Sequence, residues 1–222
     1  MKLFGTDGIR GRAGDPPLDA RTVARVGAAL ARARQPRAGA MRVLVARDTR
    51  ESGAWIETEL ARGLTSEGAE VVSASVLPTP AVAYLTPYGR FDAGIVISAS
   101  HNPFEDNGIK VFSQAGAKLA NELEQRVEAL VADGSWEVGE ACDAAVSHED
   151  LSRPYLDHAR CILGDLGPLS GTPIVLDCAN GATSVVAPSF FRSLGFRVDA
   201  IGVAPDGRNI NLQCGSTHLE PL

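Results

Sequence analysis

The chain has 222 residues, 45% of them hydrophobic and 22% charged, which suits one large domain or two small ones and excludes disorder of the whole. A formal charge of −6, from 21 basic and 27 acidic residues, speaks against a nucleic-acid surface; the 18 arginines are scattered, and only Arg32, Arg34 and Arg37 cluster, near a helix end. No apolar run approaches a membrane span. The N-terminus enters polar sequence by Thr6 and Asp7, so it does not read as a signal peptide. Cys142, Cys161, Cys178 and Cys214 form no CxxC and read as reduced thiols of a cytoplasmic protein.

An extended start at Lys2 to Phe4 leads into a loop rich in glycine and arginine, Gly5 to Gly14. Asp19 then suits the cap of a helix carrying Val23, Val26 and Leu30. Met41 to Ala46 predicts a short strand ending at Arg47-Asp48-Thr49-Arg50. Ile56, Leu60 and Leu64, four apart, make one face of a helix over Ser52 to Thr65. Glu70 to Ala74 predicts a strand, and Leu77-Pro78-Thr79-Pro80 a stiff turn opening a short helix. A strand to Ile97, a polar loop and a strand over Ile109 to Phe112 follow. Leu119, Leu123, Val127 and Leu130 stripe the next helix.

This alternation predicts an α/β layer domain, and the unbroken run Ile95-Val96-Ile97 suits a sheet covered on both faces. Asp133 to Glu149 lacks pattern and reads as a linker or domain edge. Asp150 to Leu163 suits a connecting helix. A second unit begins at Ile174-Val175-Leu176 and continues as a helix to Leu194, a strand near Val198 to Val203 and a polar tail from Pro205. One βαβ piece makes a thin core, so this unit reads as unfinished.

The stretch from Gly94 to Lys110 holds most of the chemistry. A buried strand breaks into a polar turn that offers Ser100, His101 and Lys110 within eleven residues. A hydroxyl beside an imidazole, with a lysine nearby, is raw material for covalent transfer. Ser100 is not the elbow of a hydrolase, because Ser98-Ala99-Ser100-His101-Asn102 lacks the G-x-S-x-G form. A turn serine also serves as a cap or a surface hydroxyl, and the pattern leaves both open. His101 is placed to polarise an oxygen, though adjacent side chains need not face the same way. Lys110, one of three lysines with Lys2 and Lys118, either works in proton transfer beside an apolar strand or snorkels from its end.

Gly5-Thr6-Asp7-Gly8-Ile9-Arg10-Gly11 lets backbone approach a ligand closely, and Arg10 there suits bidentate phosphate contact. It is neither a P-loop nor a dinucleotide fingerprint, and a plain turn fits as well. Asp48, Thr49 and Arg50 either start a helix or support the first site; Asp177 caps or holds a loop. No Asp-x-Asp-x-Asp cluster, His-x-x-x-His or thiolate pair supplies a self-sufficient metal site.

Taken together, these residues resemble the α-D-phosphohexomutase superfamily, in its bacterial phosphoglucosamine mutase branch. Leu3 to Gly11 resembles the N-terminal signature, and Ile97-Ser98-Ala99-Ser100-His101-Asn102-Pro103, continued by Asp106 to Lys110, the phosphoserine loop. Asp48-Thr49-Arg50, Leu77 to Pro80, Asp177 to Ala182, Asn209-Ile210-Asn211 and Cys214-Gly215 fall in the family's order.

The resemblance implies a three-layer α/β/α domain I over residues 1–150, its mixed sheet mostly parallel with an antiparallel edge, and an incomplete α/β/α domain II over 151–222. It implies interconversion of glucosamine 6-phosphate and glucosamine 1-phosphate, on the cytoplasmic route to UDP-N-acetylglucosamine and peptidoglycan. Ser100 would be the phosphoserine, with proton handling and phosphate contact on Lys110, His101 and Arg10, all converging on one cleft edge. Mg²⁺ would bind Ser100 through its phosphate, a glucosamine or glucose 1,6-bisphosphate would be the activator, and a small phosphosugar the partner. A homodimer is compatible with the longer parent.

The chain departs from the family by ending early. The Asp-Gly-Asp-x-Asp-Arg metal loop, the sugar-recognition loop and the Arg-x-Ser-Gly-Thr phosphate clamp are not in it, so an inactive N-terminal fragment is expected. A phosphomannomutase or phosphoglucomutase fragment and a non-catalytic phosphosugar-binding remnant are the alternatives.

Overall fold

The computed structural model describes residues 2–33, 39–140 and 145–222; Arg34, Arg37 and Cys142, named above, lie outside them. Strands β2 (Arg42–Arg47) and β4 (Ala93–Ile97) pair in parallel at the centre of a six-stranded sheet. Val43, Val45, Ile95 and Ile97 join one buried cluster, while Leu44, Ala46 and Val96 join another on the opposite face. Burial on both faces is why these strands run apolar without alternation.

The first cluster is closed by α1 (Ala20–Ala33), α2 (Ser52–Ser66) and α4 (Asn121–Ala132), through Val26, Leu60 and Val127. Asp19 caps α1 as expected: its carboxylate accepts from the Thr22 amide at 3.0 Å. The second cluster is closed by α3 (Thr79–Tyr88) through Val82 and Leu85, and by α5 (Ser152–Leu163) through Tyr155 and Leu156. The result is the expected α/β/α layering around a mixed sheet.

Beyond β2 the sheet continues in parallel with β3 (Glu70–Val76) and β6 (Val146–His148). Beyond β4 comes β5 (Asp106–Ser113), antiparallel to it, and then β1 (Ile9–Arg12), antiparallel to β5. The expectation of an antiparallel edge is therefore corrected. The antiparallel strand lies inside the sheet, because residues 98–105 are too short a connection for a parallel crossover and fold β5 straight back on β4. β1 then covers β5's free side.

Two strands lay hidden in the sequence. β1 sits in the segment read as a loop, and its hydrogen bonds come from β5, about a hundred residues on. β6 sits in the segment read as a linker; it is only three residues long and is held by β3.

In the second unit, β7 (Pro173–Asp177) and β8 (Arg197–Ile201) pair in parallel across α6 (Ala187–Ser193). Helix α5 touches both units: His158 stacks on Tyr84 of α3 at 3.7 Å between ring centroids, and Arg160 donates to the Ser193 hydroxyl at 2.6 Å. The core here is small, with Cys178, Phe190, Ile210 and Cys214 buried, while Val186 joins the second cluster of the six-stranded sheet. Among the described residues, the large exposed apolar side chains other than Tyr88 all lie from Ile162 onward, Val175 among them. Cys161, Cys178 and Cys214 are free thiols, and burial pushes Cys178 and Cys214 above the ordinary thiol range. No described helix is long and apolar enough to cross a membrane.

Helices α1 and α2 touch backbone to backbone at Gly27 and Gly63. A Cβ on Gly63 would lie 1.9 Å from the Ala24 carbonyl oxygen, and one on Gly27 2.3 Å from that of Leu60. Gly63→Ala should therefore destabilise the protein. Overpacking costs about 1–3 kcal/mol or more, against roughly 1 kcal/mol gained from better helix propensity. A urea midpoint equal to or above wild type would contradict this packing.

Candidate phosphoryl-transfer site

The β4–β5 ladder runs one bond past the strand, with the Ser98 amide donating to Gly108 O at 2.9 Å. The chain then turns. The Asn102 amide donates to Ala99 O at 3.2 Å, the Asn102 side chain to Asp106 Oδ2 at 2.9 Å, and the Ser100 amide to Ser98 Oγ at 3.1 Å. Ser100 sits at the crest, exposed, with φ of 58°. A non-glycine residue rarely enters this left-handed region unless its surroundings hold it there.

Arg50 holds it. Its side chain is buried, at 1% exposure. Nη2 donates to the carbonyls of Ser100 at 3.0 Å and Asn102 at 2.9 Å, and Nη1 donates to that of Pro103. Nε donates to Asp48 Oδ2 at 3.0 Å, and the other Asp48 oxygen accepts from the Arg50 amide at 3.0 Å. Asp48 is tied to the loop's own strand, because its amide donates to Ile97 O at 3.0 Å. Of the two readings of Asp48-Thr49-Arg50, support of the site is the one the geometry favours.

The second unit meets the loop from the other side. Asn211 Nδ2 donates to Ser100 O at 2.9 Å and Asn102 O at 3.0 Å. Thr49 Oγ1 donates to Asn180 O, and Arg208 pairs with Glu51 at 2.7 Å. Between the units lies a cleft of about 390 Å³, with Ser98, Ser100 and His101 on one wall and Cys178, Thr183 and Asn211 on the other.

Arg10 and Lys110 come together without lining that cleft. Asp7 Oδ2 accepts from Arg10 Nη2 at 2.7 Å and from Lys110 Nζ at 2.6 Å. Arg10 faces Gly108 across β1 and β5, and Gly108 faces Ser98 across β5 and β4. A Cβ on Gly108 would stand 2.8 Å from Ser98 O and 3.2 Å from Arg10 Cγ, so the bare glycine lets the arginine stem lie close over β5. The backbones of Arg10 and Ser98 are two strand spacings apart, about 10 Å. Arg10 Nε is buried with no hydrogen-bond partner, a donor left over beside β5.

Sequence reasoning gave Asp7 and Asn211 no role beyond their places in the family's motifs, and took Gly108, with Pro103, only as bracketing the polar connection, whereas it lies inside β5. Asp7 stands three residues before Arg10, a spacing that hints at a pair. Gly108 and Asn211 act on groups distant in sequence, and nothing local marks them.

The hydrogen bond from Lys110, aided by the charges of Lys110 and Arg10, holds the Asp7 carboxyl below the ordinary aspartate value of 3.8, although partial burial pushes the other way. A depressed folded-state pKa stabilises the fold above the unfolded value, and that contribution is lost as pH falls through the folded one. Asp7 should thus titrate by NMR below ordinary aspartates, and Lys110→Met should move its midpoint up. An unmoved midpoint would mean that the ion pair does not persist in solution.

Residues 1–137 match the family described as phosphoglucomutase/phosphomannomutase, alpha/beta/alpha domain I. The chain belongs to that family. Over its whole length it is 45% identical to the phosphoglucosamine mutase of Deinococcus deserti and 46% identical to that of Chromohalobacter salexigens, covering 50% of each. It thus spans about half the length of the curated relatives it matches. A crystal structure of a phosphoglucomutase/phosphomannomutase family protein from Burkholderia thailandensis superposes with a TM-score of 0.75 at 31% identity, covering 93% of this chain and 45% of that one.

Removing Arg50 would leave Asp48 and the loop carbonyls without their main donor. Arg50→Ala should cost about 3–5 kcal/mol, the range for breaking a buried ion pair from one side. Urea denaturation of the variant checks it, and a loss under about 1 kcal/mol, as for an exposed pair, would contradict the bracing.

Proposed function

We propose that this chain supplies the phosphoserine-bearing part of a phosphoglucosamine mutase. Phospho-Ser100 gives its phosphoryl group to the free hydroxyl of glucosamine 6-phosphate or glucosamine 1-phosphate. The bond from phosphorus to Ser100 Oγ breaks as one to the sugar oxygen forms; the sugar hydroxyl loses a proton and Ser100 Oγ regains one. The bisphosphate then turns in the site and returns its other phosphate to Ser100. The observation that carries this reading is the braced loop, which presents an exposed serine in a strained backbone state at the mouth of a cleft.

Phosphoryl transfer needs positioning and cationic stabilisation more than covalent chemistry from the protein. Arg10 and Lys110 are read as the phosphate-contacting cations, with proton handling on Lys110 and His101. Asp7 holds the two cations together, beside rather than in the cleft that Ser100 lines. Residues 1–150 are read as the domain that carries the loop and 151–222 as part of the next. A small phosphosugar as ligand, a 1,6-bisphosphate as activator, a cytoplasmic location and a homodimer of the longer protein belong to the same reading.

Magnesium does not fit the described residues alone. No three His, Cys, Asp or Glu side chains among them gather around a common point. Asp177 spends one oxygen on the Ala179 amide and the other on the Gly215 amide, both as hydrogen bonds. Phospho-Ser100 would offer a single ligand, and octahedral Mg²⁺ needs more than that to shed water. The ion enters the proposal only with carboxylates from outside the described residues.

The test uses the 222-residue chain and a fusion of it to the uncovered half of the Deinococcus deserti relative. Both are incubated with glucose 1,6-bisphosphate, Mg²⁺ and glucosamine 6-phosphate. The fusion should isomerise the sugar, carry one phosphoryl group that peptide mapping finds on Ser100, and lose both in Ser100→Ala; the short chain should not turn over. Isomerisation that survives Ser100→Ala, or a silent but folded fusion, would overturn the assignment.

A further inference from the structure

Asn211 follows β8 in a polar stretch and lies 111 residues from Ser100 in sequence. Its backbone is left-handed, with φ of 59°, and its amide donates to Ala179 O at 2.9 Å, so its side chain leaves a fixed base. Nδ2 faces two carbonyl oxygens, those of Ser100 and Asn102, at 2.9 and 3.0 Å. Only the nitrogen end of the amide can satisfy both, which sets its orientation.

The same two carbonyls also accept from Arg50 Nη2, at 3.0 and 2.9 Å. Each carbonyl oxygen has two lone pairs, so each takes one donor from beneath the loop and one from the second unit. With φ in the left-handed well and the Ser100 carbonyl held twice, the Ser100 hydroxyl keeps little freedom beyond rotation about χ1.

We propose that Asn211 is a positioning residue for the phosphoryl transfer: from the second unit it fixes the peptide groups on which the aim of Ser100 depends. The proposal rests on the reading of Ser100 as the phosphoryl carrier. It makes the aim of the serine depend on how the two units sit together, since parting them removes one donor from each carbonyl and leaves Arg50 alone.

Two substitutions separate this role from general packing. Asn211→Gly keeps the left-handed backbone and deletes the amide; Asn211→Asp keeps the shape and turns an acceptor toward two acceptors. Arg208→Met is the control, because it deletes an exposed ion pair between the units, which contributes little to holding them together, without touching the loop carbonyls. In the 222-residue chain, hydrogen exchange at residues 99–102 should speed up about tenfold in both Asn211 variants and stay at the wild-type rate in Arg208→Met. In the fusion, kcat should fall by about tenfold to a hundredfold with KM little changed, the pattern of a misaimed group.

Exchange and kcat unchanged in the Asn211 variants, with turnover still lost in Ser100→Ala, would sink this proposal and leave the carrier reading standing. Equal effects from Arg208→Met would reduce Asn211 to an ordinary contact and overturn it too. Turnover that survives Ser100→Ala would sink both readings.

Discussion

A single buried guanidinium organises the loop that carries Ser100. Arg50 spends its donors on three carbonyls of one loop and on the carboxylate of Asp48, whose amide is itself bonded to the strand that launches the loop. A lysine could not do this, because one ammonium lacks the planar fork that meets several acceptors in fixed directions. Burying a charge is costly unless it is paired and hydrogen-bonded, and here both conditions are met. The left-handed conformation of Ser100 follows from that bracing.

The sheet topology serves the same end. Had β4 been followed by a helical crossover, like the parallel strands beside it, Ser100 would sit on a long connection. Instead the chain returns at once as β5, and the short turn stays pinned at both ends by the ladder. β1 covers the far side of β5 and delivers Arg10, while β5 itself delivers Lys110. Cations from two neighbouring strands thus meet on one Asp7 oxygen, outside the cleft that Ser100 lines.

The central strands and main helices were legible because burial on two faces leaves an unbroken apolar run and helical burial leaves a stripe, as in Ile95-Val96-Ile97 and in Ile56, Leu60 and Leu64. Ser100, too, was legible as an exposed residue following a strand. β1 was not, because its three-glycine surroundings read as a turn and its partners lie far along the chain. The interior place of the antiparallel strand was missed for the same reason, since pairing order is a tertiary fact. Asp7 and Asn211 are ordinary polar residues in polar segments, and only the fold shows that one gathers two cations and the other reaches across to the serine loop.

The central claim is that this loop is set before any ligand arrives. It is tested most directly by NMR on the free 222-residue chain, from the heteronuclear NOE of the Ser100 amide and the NOE between its own amide and α protons. The account predicts a Ser100 as rigid as β4, with the strong intraresidue NOE of a left-handed residue. A low heteronuclear NOE with a weak, averaged intraresidue signal would show a mobile loop and contradict it.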